Sequence, residues 1–165
     1  AICAGGGDEE RRRAAGVALF AAQIALSLGV AFPPVEWSVY GLDAHAAVLA
    51  GKAALLGGMG AAAWGVLSLS DSLWHLPEPR EEACELKTSG AYALVRHPMY
   101  FGVLCGCAGV TVITGSLSRV LLTAALAKVF DEKSALEEAW LEERHGEQWA
   151  RFCEATPHKI LPGVW

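Results

Sequence analysis

The chain has 165 residues, of which 53% are apolar and 19% are charged, and its formal net charge is −5. Ordinary soluble domains contain roughly 45–50% apolar and about 25% charged residues, so this composition favours a single domain that lies in lipid. The negative charge excludes nucleic acid as an expected partner, because nucleic-acid binding depends on clustered Lys and Arg.

Residues 1–15 are charged and rich in glycine, which predicts a flexible N-terminal tail and not the apolar core of a signal peptide. The chain begins with Ala1 instead of Met, so we expect a processed protein or one whose start is missing. The expected location is the endoplasmic reticulum or an organelle membrane, with plastid and mitochondrion both open if the N-terminus is processed.

Two long apolar stretches follow the tail. Residues 16–32 carry no formal charge and are just long enough to cross the hydrocarbon core as a helix, which Pro33 and Pro34 would end. The second stretch covers residues 44–70. Its small residues predict a face that allows close approach of a neighbouring helix; they are Gly51, Gly57, Gly58, Gly60, Ala61 and Gly65.

Two shorter apolar stretches, residues 99–114 and 117–130, follow a polar loop over residues 71–98 and predict a tight helical hairpin. Three glycines at three- and four-residue spacing should let one hairpin helix lie against the other; they are Gly102, Gly106 and Gly109. After the hairpin, the composition changes to eight acidic and three basic residues between 131 and 154. Apolar residues at helical spacing there predict an amphipathic helix over about 131–155.

The predicted fold is therefore an all-α, polytopic membrane protein. It has about four spans, the last two forming a short hairpin, in a single membrane domain over residues 16–165 that ends in the acidic helix. With four spans, the N-terminus, the polar loop and the acidic helix share one side. Arg11, Arg12 and Arg13 indicate that this side is cytosolic or stromal.

The first polar cluster that suggests chemistry is Arg96-His97-Pro98, where the polar loop enters the third span. Pro98 can occupy the first turn of a helix, where its missing amide proton costs nothing. Arg96, His97 and the free amides of that turn then form a site for a carboxylate or phosphate at the positive end of the helix dipole. The alternative is a lipid head-group contact at a helix start.

The second cluster is Lys133 with Glu137 and Glu138 in the acidic helix. Because the two glutamates are adjacent, we expect one to face solvent and one to point inward, where it could bind an amino group. The alternative is a solvated acidic face. The five cysteines form no C-x-x-C pair, so we expect buried thiols and no metal site.

Taken together, the two clusters resemble the isoprenylcysteine carboxyl methyltransferase and phospholipid methyltransferase family of integral membrane methyltransferases. The motif before the hairpin consists of Gly90, Tyr92, Arg96, His97, Pro98, Tyr100 and Gly102. The motif after it consists of Glu137, Glu138, Leu141, Gly146, Trp149, Phe152, Pro157 and Pro162. Trp149 and Phe152 replace aromatic hydroxyls usual in the family, which indicates packing positions. The resemblance covers roughly residues 86–163.

The resemblance implies S-adenosylmethionine as the methyl donor, bound between the Arg-His-Pro segment and the acidic helix. It implies catalytic roles for Arg96, His97 and Glu137. The implied donor-binding residues are Tyr92, Arg96, His97, Pro98, Tyr100, Gly102, Glu137 and Glu138. The implied acceptor is a lipid or lipid-like molecule, either a phospholipid amine or a prenylcysteine carboxylate, and membrane lipid is an expected partner. The alternative is a non-catalytic membrane subunit that keeps this scaffold within a larger complex.

Overall fold

A computed structural model describes residues 5–35, 45–69 and 86–164. These residues form five α-helices and one short 3-10 helix, and no strand occurs among them. The helices are α1 (Gly5–Ala31), α2 (His45–Leu69), α3 (Pro98–Thr114), α4 (Leu117–His145) and α5 (Glu147–Ala155), and the 3-10 helix covers Gly90–Ala93. The predicted all-α class is confirmed. Residues 71–85 of the predicted polar loop lie outside the described residues.

The turn between α3 and α4 is built as the sequence predicts. Pro98 occupies the first turn of α3, and Gly115 ends that helix in the left-handed conformation at φ 58°. Glycine tolerates this conformation because it has no Cβ. The Ser116 side chain then accepts a hydrogen bond from the Arg119 amide, which caps the start of α4.

Two predicted boundaries are wrong. Residues 1–15 are predicted as a loose tail, but α1 already begins at Gly5. An ion pair between Arg13 and Glu9, at 3.2 Å and four residues apart, supports this first part of the helix. The acidic helix is also not separate from the fourth apolar stretch, because α4 runs without interruption from Leu117 to His145. Good helix formers cross the change in polarity, and the break comes only at Gly146, where φ is 47°.

Two of the helices are long and apolar enough to cross a membrane: Gly7–Ala31 of α1 and the whole of α2. Only 11% of the most apolar window of each is buried inside the protein. A core helix of a soluble protein is mostly buried, so these apolar side chains are available to a nonaqueous solvent. The apolar α3 is shorter. The count of four spans stays a prediction.

Glycines hold α2 and α3 together. A Cβ on Gly58 would lie 2.5 Å from the Gly102 carbonyl oxygen, and one on Gly109 would lie 2.6 Å from the Gly51 carbonyl oxygen. The predicted small-residue face of α2 is confirmed for Gly51, Gly58 and Gly65, which are buried against α3, but it is wrong for Gly57 and Gly60, which have open space around them. The α3 glycines are predicted to pack against the hairpin helix α4, and this is wrong. Gly102 and Gly109 face α2 instead. Close backbone approach needs glycines on both partners, and α2 supplies them.

The largest buried cluster lies where α3, α4 and the C-terminal segment meet. It contains Tyr100, Leu104, Leu126, Phe130 and Ile160. Helix α1 packs against α4 and contributes Leu26 to the edge of this cluster. The end of α1 is fixed by a 2.9 Å hydrogen bond from Arg119 Nε to the Val30 carbonyl. This packing places the first turn of α3, the middle of α4 and the last residues of the chain around one polar cluster.

Candidate active site

The C-terminal segment holds the residues that precede α3. The Arg96 amide donates to the His158 carbonyl at 3.0 Å, and the His97 amide donates to the Lys159 carbonyl at 2.9 Å. Ile160, which is fully buried in the core cluster, anchors this segment. These backbone hydrogen bonds between the segment before α3 and the C-terminal segment therefore fix the backbone positions of Arg96 and His97, from which their side chains extend into the site.

Arg96 joins three parts of the protein through its guanidinium group. Its Nε donates to Glu138 Oε1 at 2.9 Å, and its Nη1 donates to the carbonyls of Thr156 at 3.0 Å and Pro157 at 2.9 Å. Only 13% of the side chain is exposed, so these charge-assisted bonds are largely shielded from water. Arg96 thereby fixes both α4 and the C-terminal segment.

His97 lies between the two glutamates. Its Nε2 is 3.1 Å from Glu138 Oε1, and its Nδ1 is 3.5 Å from Glu137 Oε2. The prediction that one glutamate faces solvent is wrong, because both side chains reach the same imidazole. Adjacent helical residues point about 100° apart, and a ring set against the helix between them can contact both. The carboxylates act on opposite edges of one ring.

Tyr100 fixes Glu137 from the other side. Its hydroxyl donates to Glu137 Oε1 at 2.6 Å, while its ring stacks against the rings of His97 and Phe130 at centroid distances of 5.3 Å and 4.4 Å. Stacking against these two rings sets the position of the Tyr100 ring. Tyr100 therefore orients His97 and Glu137 together.

The electrostatics of the site follow from this arrangement. Burial by itself raises the pKa of Glu138, but the hydrogen bonds and charges of His97 and Arg96 outweigh it, so the pKa lies below its ordinary value. Burial, with a smaller effect of the Glu137 charge, raises the pKa of Tyr92 to about 12. Glu138 is thus held ionised, and Tyr92 stays a neutral phenol.

The remaining predicted site residues are Tyr92, Pro98 and Gly102. Tyr92 lies near the glutamates but is buried with Trp149 and Phe152, which confirms that the latter two are packing positions. Pro98 serves as the start of α3. Gly102 faces α2 instead of the polar cluster, because a Cβ at this position would meet the Ala62 backbone amide of α2. The structure thus brings together Arg96, His97, Tyr100, Glu137 and Glu138.

Several contributors carry no signal in the sequence. The carbonyls of Thr156 and Pro157 are backbone groups that any residues would offer. Lys159 Nζ binds Asp131 Oδ1 at 3.2 Å and so fastens the C-terminal segment to α4, but two distant charges do not predict each other. Gln23 of α1, a hydrogen-bond partner of Lys133, is equally unremarkable in sequence. Lys133 precedes Glu137 by four residues, and only this spacing could have indicated from the sequence that Lys133 lies close to the site.

The cluster has a surplus of acceptor oxygens. Arg96 is committed to Glu138, while Glu137 receives the Tyr100 hydroxyl and faces one edge of His97. The Glu137 carboxylate is half-buried and suits a cationic or hydrogen-bond-donating ligand. Within the described ranges, no group of three or more His, Cys, Asp or Glu side chains could hold a metal ion.

Comparison with known proteins matches the segment of the chain that carries both clusters. A sequence model of the phospholipid methyltransferase family matches residues 46–148, which contain both clusters. The chain belongs to this family. Members of the wider isoprenylcysteine carboxyl methyltransferase group are similar to it as well, so the resemblance seen in the two motifs is confirmed.

Two relatives illustrate the likeness. Protein-S-isoprenylcysteine O-methyltransferase B of Arabidopsis thaliana is 29% identical over 97 residues, which are 58% of this chain and 49% of that protein. Protein-S-isoprenylcysteine O-methyltransferase of Schizosaccharomyces pombe is 33% identical over 76 residues, which are 46% of this chain and 32% of that protein. The matches thus span half or less of these relatives' length. Family membership rests on the segment that builds the site.

Proposed function

We propose that this chain is an S-adenosylmethionine-dependent methyltransferase that works in a membrane and methylates the carboxylate of a prenylated cysteine. The observation that supports it most is the clamp of His97 between Glu137 and Glu138, with Arg96 bound to the second glutamate. All four residues lie within the segment that matches the methyltransferase family.

The residues of the site fit such a donor. When bound, S-adenosylmethionine supplies a methyl group on a sulfonium centre, and it also carries an ammonium and a carboxylate. The half-buried Glu137 suits a cationic group of the donor. Within the described part of the chain, no acceptor takes a hydrogen bond from Arg96 Nη2, which leaves that nitrogen for a carboxylate. The free amides in the first turn of α3, which begins two residues after Arg96, add partial positive charge at that end of the helix.

Methyl transfer depends mainly on the alignment of the donor with the acceptor. Direct displacement of a methyl group requires the acceptor oxygen, the methyl carbon and the sulfur to lie in line, and the protein contributes by fixing both reactants and excluding water. A carboxylate acceptor has no proton to lose. A phospholipid amine does, and the candidates to receive it are His97 and the two glutamates. The names of the relatives favour the carboxylate, because both are isoprenylcysteine O-methyltransferases.

The surface of α1 and α2 supports work in a membrane. Leu28 and Leu49 are 57% and 69% exposed, and Leu67 is 74% exposed. Lipid would remove these side chains from water, which is favourable for apolar surface. A lipid-like acceptor could then reach the site from the bilayer.

The proposal is tested with the purified full chain in detergent. Binding of S-adenosylmethionine is measured by calorimetry, and transfer of a labelled methyl group is measured to farnesylated cysteine and, separately, to phosphatidylethanolamine. We expect binding and transfer to farnesylated cysteine. Glu137→Gln should abolish donor binding, whereas Glu132→Gln, an exposed α4 residue paired with Lys128, should not.

Three outcomes would contradict the proposal or part of it. Absence of donor binding by the wild-type protein would overturn it and favour a non-catalytic subunit of a membrane complex. Transfer to phosphatidylethanolamine alone would overturn the prenylcysteine assignment. Equal donor affinity of Glu137→Gln and Glu132→Gln would remove Glu137 from the site.

A further inference from the structure

A buried lysine lies one helical turn before Glu137. Lys133 is 5% exposed, although lysine is almost never buried without a partner. Its Nζ donates to Gln23 Oε1 at 2.8 Å and lies 5.2 Å from the ring centroid of Phe20. Both partners belong to α1. An amide oxygen and the face of an aromatic ring both stabilise a cation, so the two residues form a binding site for the Lys133 ammonium group.

The same ammonium contacts the candidate active site. Lys133 Nζ lies 5.3 Å from the ring centroid of Tyr100, and the hydroxyl of Tyr100 donates to Glu137 at 2.6 Å. Tyr100 therefore faces Lys133 with its ring and Glu137 with its hydroxyl. A continuous set of contacts runs from Gln23 through Lys133 and Tyr100 to Glu137.

The partners of Lys133 are of an unusual type. An amide oxygen and two aromatic rings stabilise its charge, instead of a carboxylate in direct contact. Burial lowers the pKa of Lys133, and the charge of Glu137 acts in the opposite direction. Because Gln23 and the rings share the ammonium, Glu137 keeps its oxygens for Tyr100, His97 and a ligand.

We propose that Lys133, held by Gln23 and Phe20 of α1, is a positioning residue that fixes Tyr100 and Glu137 for donor binding. This inference rests on the proposed function. It assigns α1 a part in the site, although α1 ends before residue 46, where the family match begins. The first helix then does more than anchor the chain, because removal of one amide on it should weaken a site on α4.

The test compares substitutions that keep side-chain length. Gln23→Met removes the acceptor, Lys133→Met removes the charge, and Gln23→Glu keeps an acceptor for Lys133. Matched controls are Gln148→Met on the exposed face of α5 and Lys128→Met on the exposed face of α4. Each variant is measured for the Kd of S-adenosylmethionine by calorimetry, for kcat and acceptor KM with farnesylated cysteine, and for detergent-state melting temperature.

We expect Gln23→Met and Lys133→Met each to weaken donor affinity about tenfold, which corresponds to about 1.4 kcal/mol. The acceptor KM should stay near the wild-type value, since acceptor contacts are not altered. Gln23→Glu and both controls should bind like the wild type. The double variant should be no weaker than Lys133→Met alone, because both substitutions disrupt one network.

The outcomes separate this inference from the proposed function. If the wild type neither binds the donor nor transfers a methyl group, the proposed function fails and the inference fails with it. If the wild type is active but Gln23→Met and Lys133→Met bind the donor like their controls, the inference alone is overturned. Additive losses in the double variant would overturn it too, as would a loss of melting temperature with unchanged donor affinity.

Discussion

Replacement of Arg96 by alanine should cost far more stability than replacement of a surface arginine. The change removes one hydrogen bond to Glu138 and two to the carbonyls of Thr156 and Pro157. It also removes the arginine charge beside Glu138, whose side chain is 20% exposed and keeps only His97, at 3.1 Å, as an ion-pair partner among the described residues. Loss of one partner of a buried ion pair costs about 3–5 kcal/mol. Partial exposure lets water compensate in part, so we expect a loss of about 3 kcal/mol.

Arg12→Ala is the matched control for this measurement. Arg12 pairs with Glu143 at 2.5 Å, but the two side chains are 44% and 60% exposed. Exposed ion pairs contribute little to stability because water and salt screen them, so this variant should unfold almost like the wild type. The free energy of unfolding is measured by denaturant titration in detergent micelles. An Arg96→Ala loss no larger than that of Arg12→Ala would refute the role of Arg96 as the tie between α4 and the C-terminal segment.

Three further predictions concern stability. Because the pKa of Glu138 is lowered, its contribution to the free energy of unfolding is present above the ordinary pKa of 4.5 and is lost as the pH falls through the folded-state pKa. Glu138→Gln should therefore lose less stability than the wild type when the pH of unfolding titrations is lowered. Equal slopes of stability against pH for the two proteins would contradict this. Gly58→Ala should destabilise by about 1–3 kcal/mol, because its Cβ would lie 2.5 Å from α3 backbone atoms, whereas Gly57→Ala has open space and should stabilise. Melting temperatures that move together would disprove that distinction. Ile160→Ala should cost about 2–5 kcal/mol by opening the core under the site, while Val164→Ala, 82% exposed, should cost almost nothing; similar chemical stability of the two would show that Ile160 is not an anchor.

The corrected positions show where local reasoning fails. Glu137 and Glu138 are adjacent, so helix geometry alone assigns them different directions, yet both contact His97. The direction of a side chain relative to its helix is local, but the position of the imidazole depends on how α3 and the C-terminal segment pack. The same holds for Gly102, whose partner α2 is chosen by the tertiary arrangement.

The sequence by itself determined the helical class, two helices apolar enough for a membrane, the start of α3 at Pro98 and the pair of motifs that identifies the family. These depend on composition, periodicity and residue type, which act over a few neighbouring residues. Only the tertiary structure decided that Arg96 ties the C-terminal segment to α4, that both glutamates flank His97, and that α1 supplies Gln23 to Lys133. These contacts join residues from 40 to 110 positions apart, and no local preference encodes which distant groups packing will bring together.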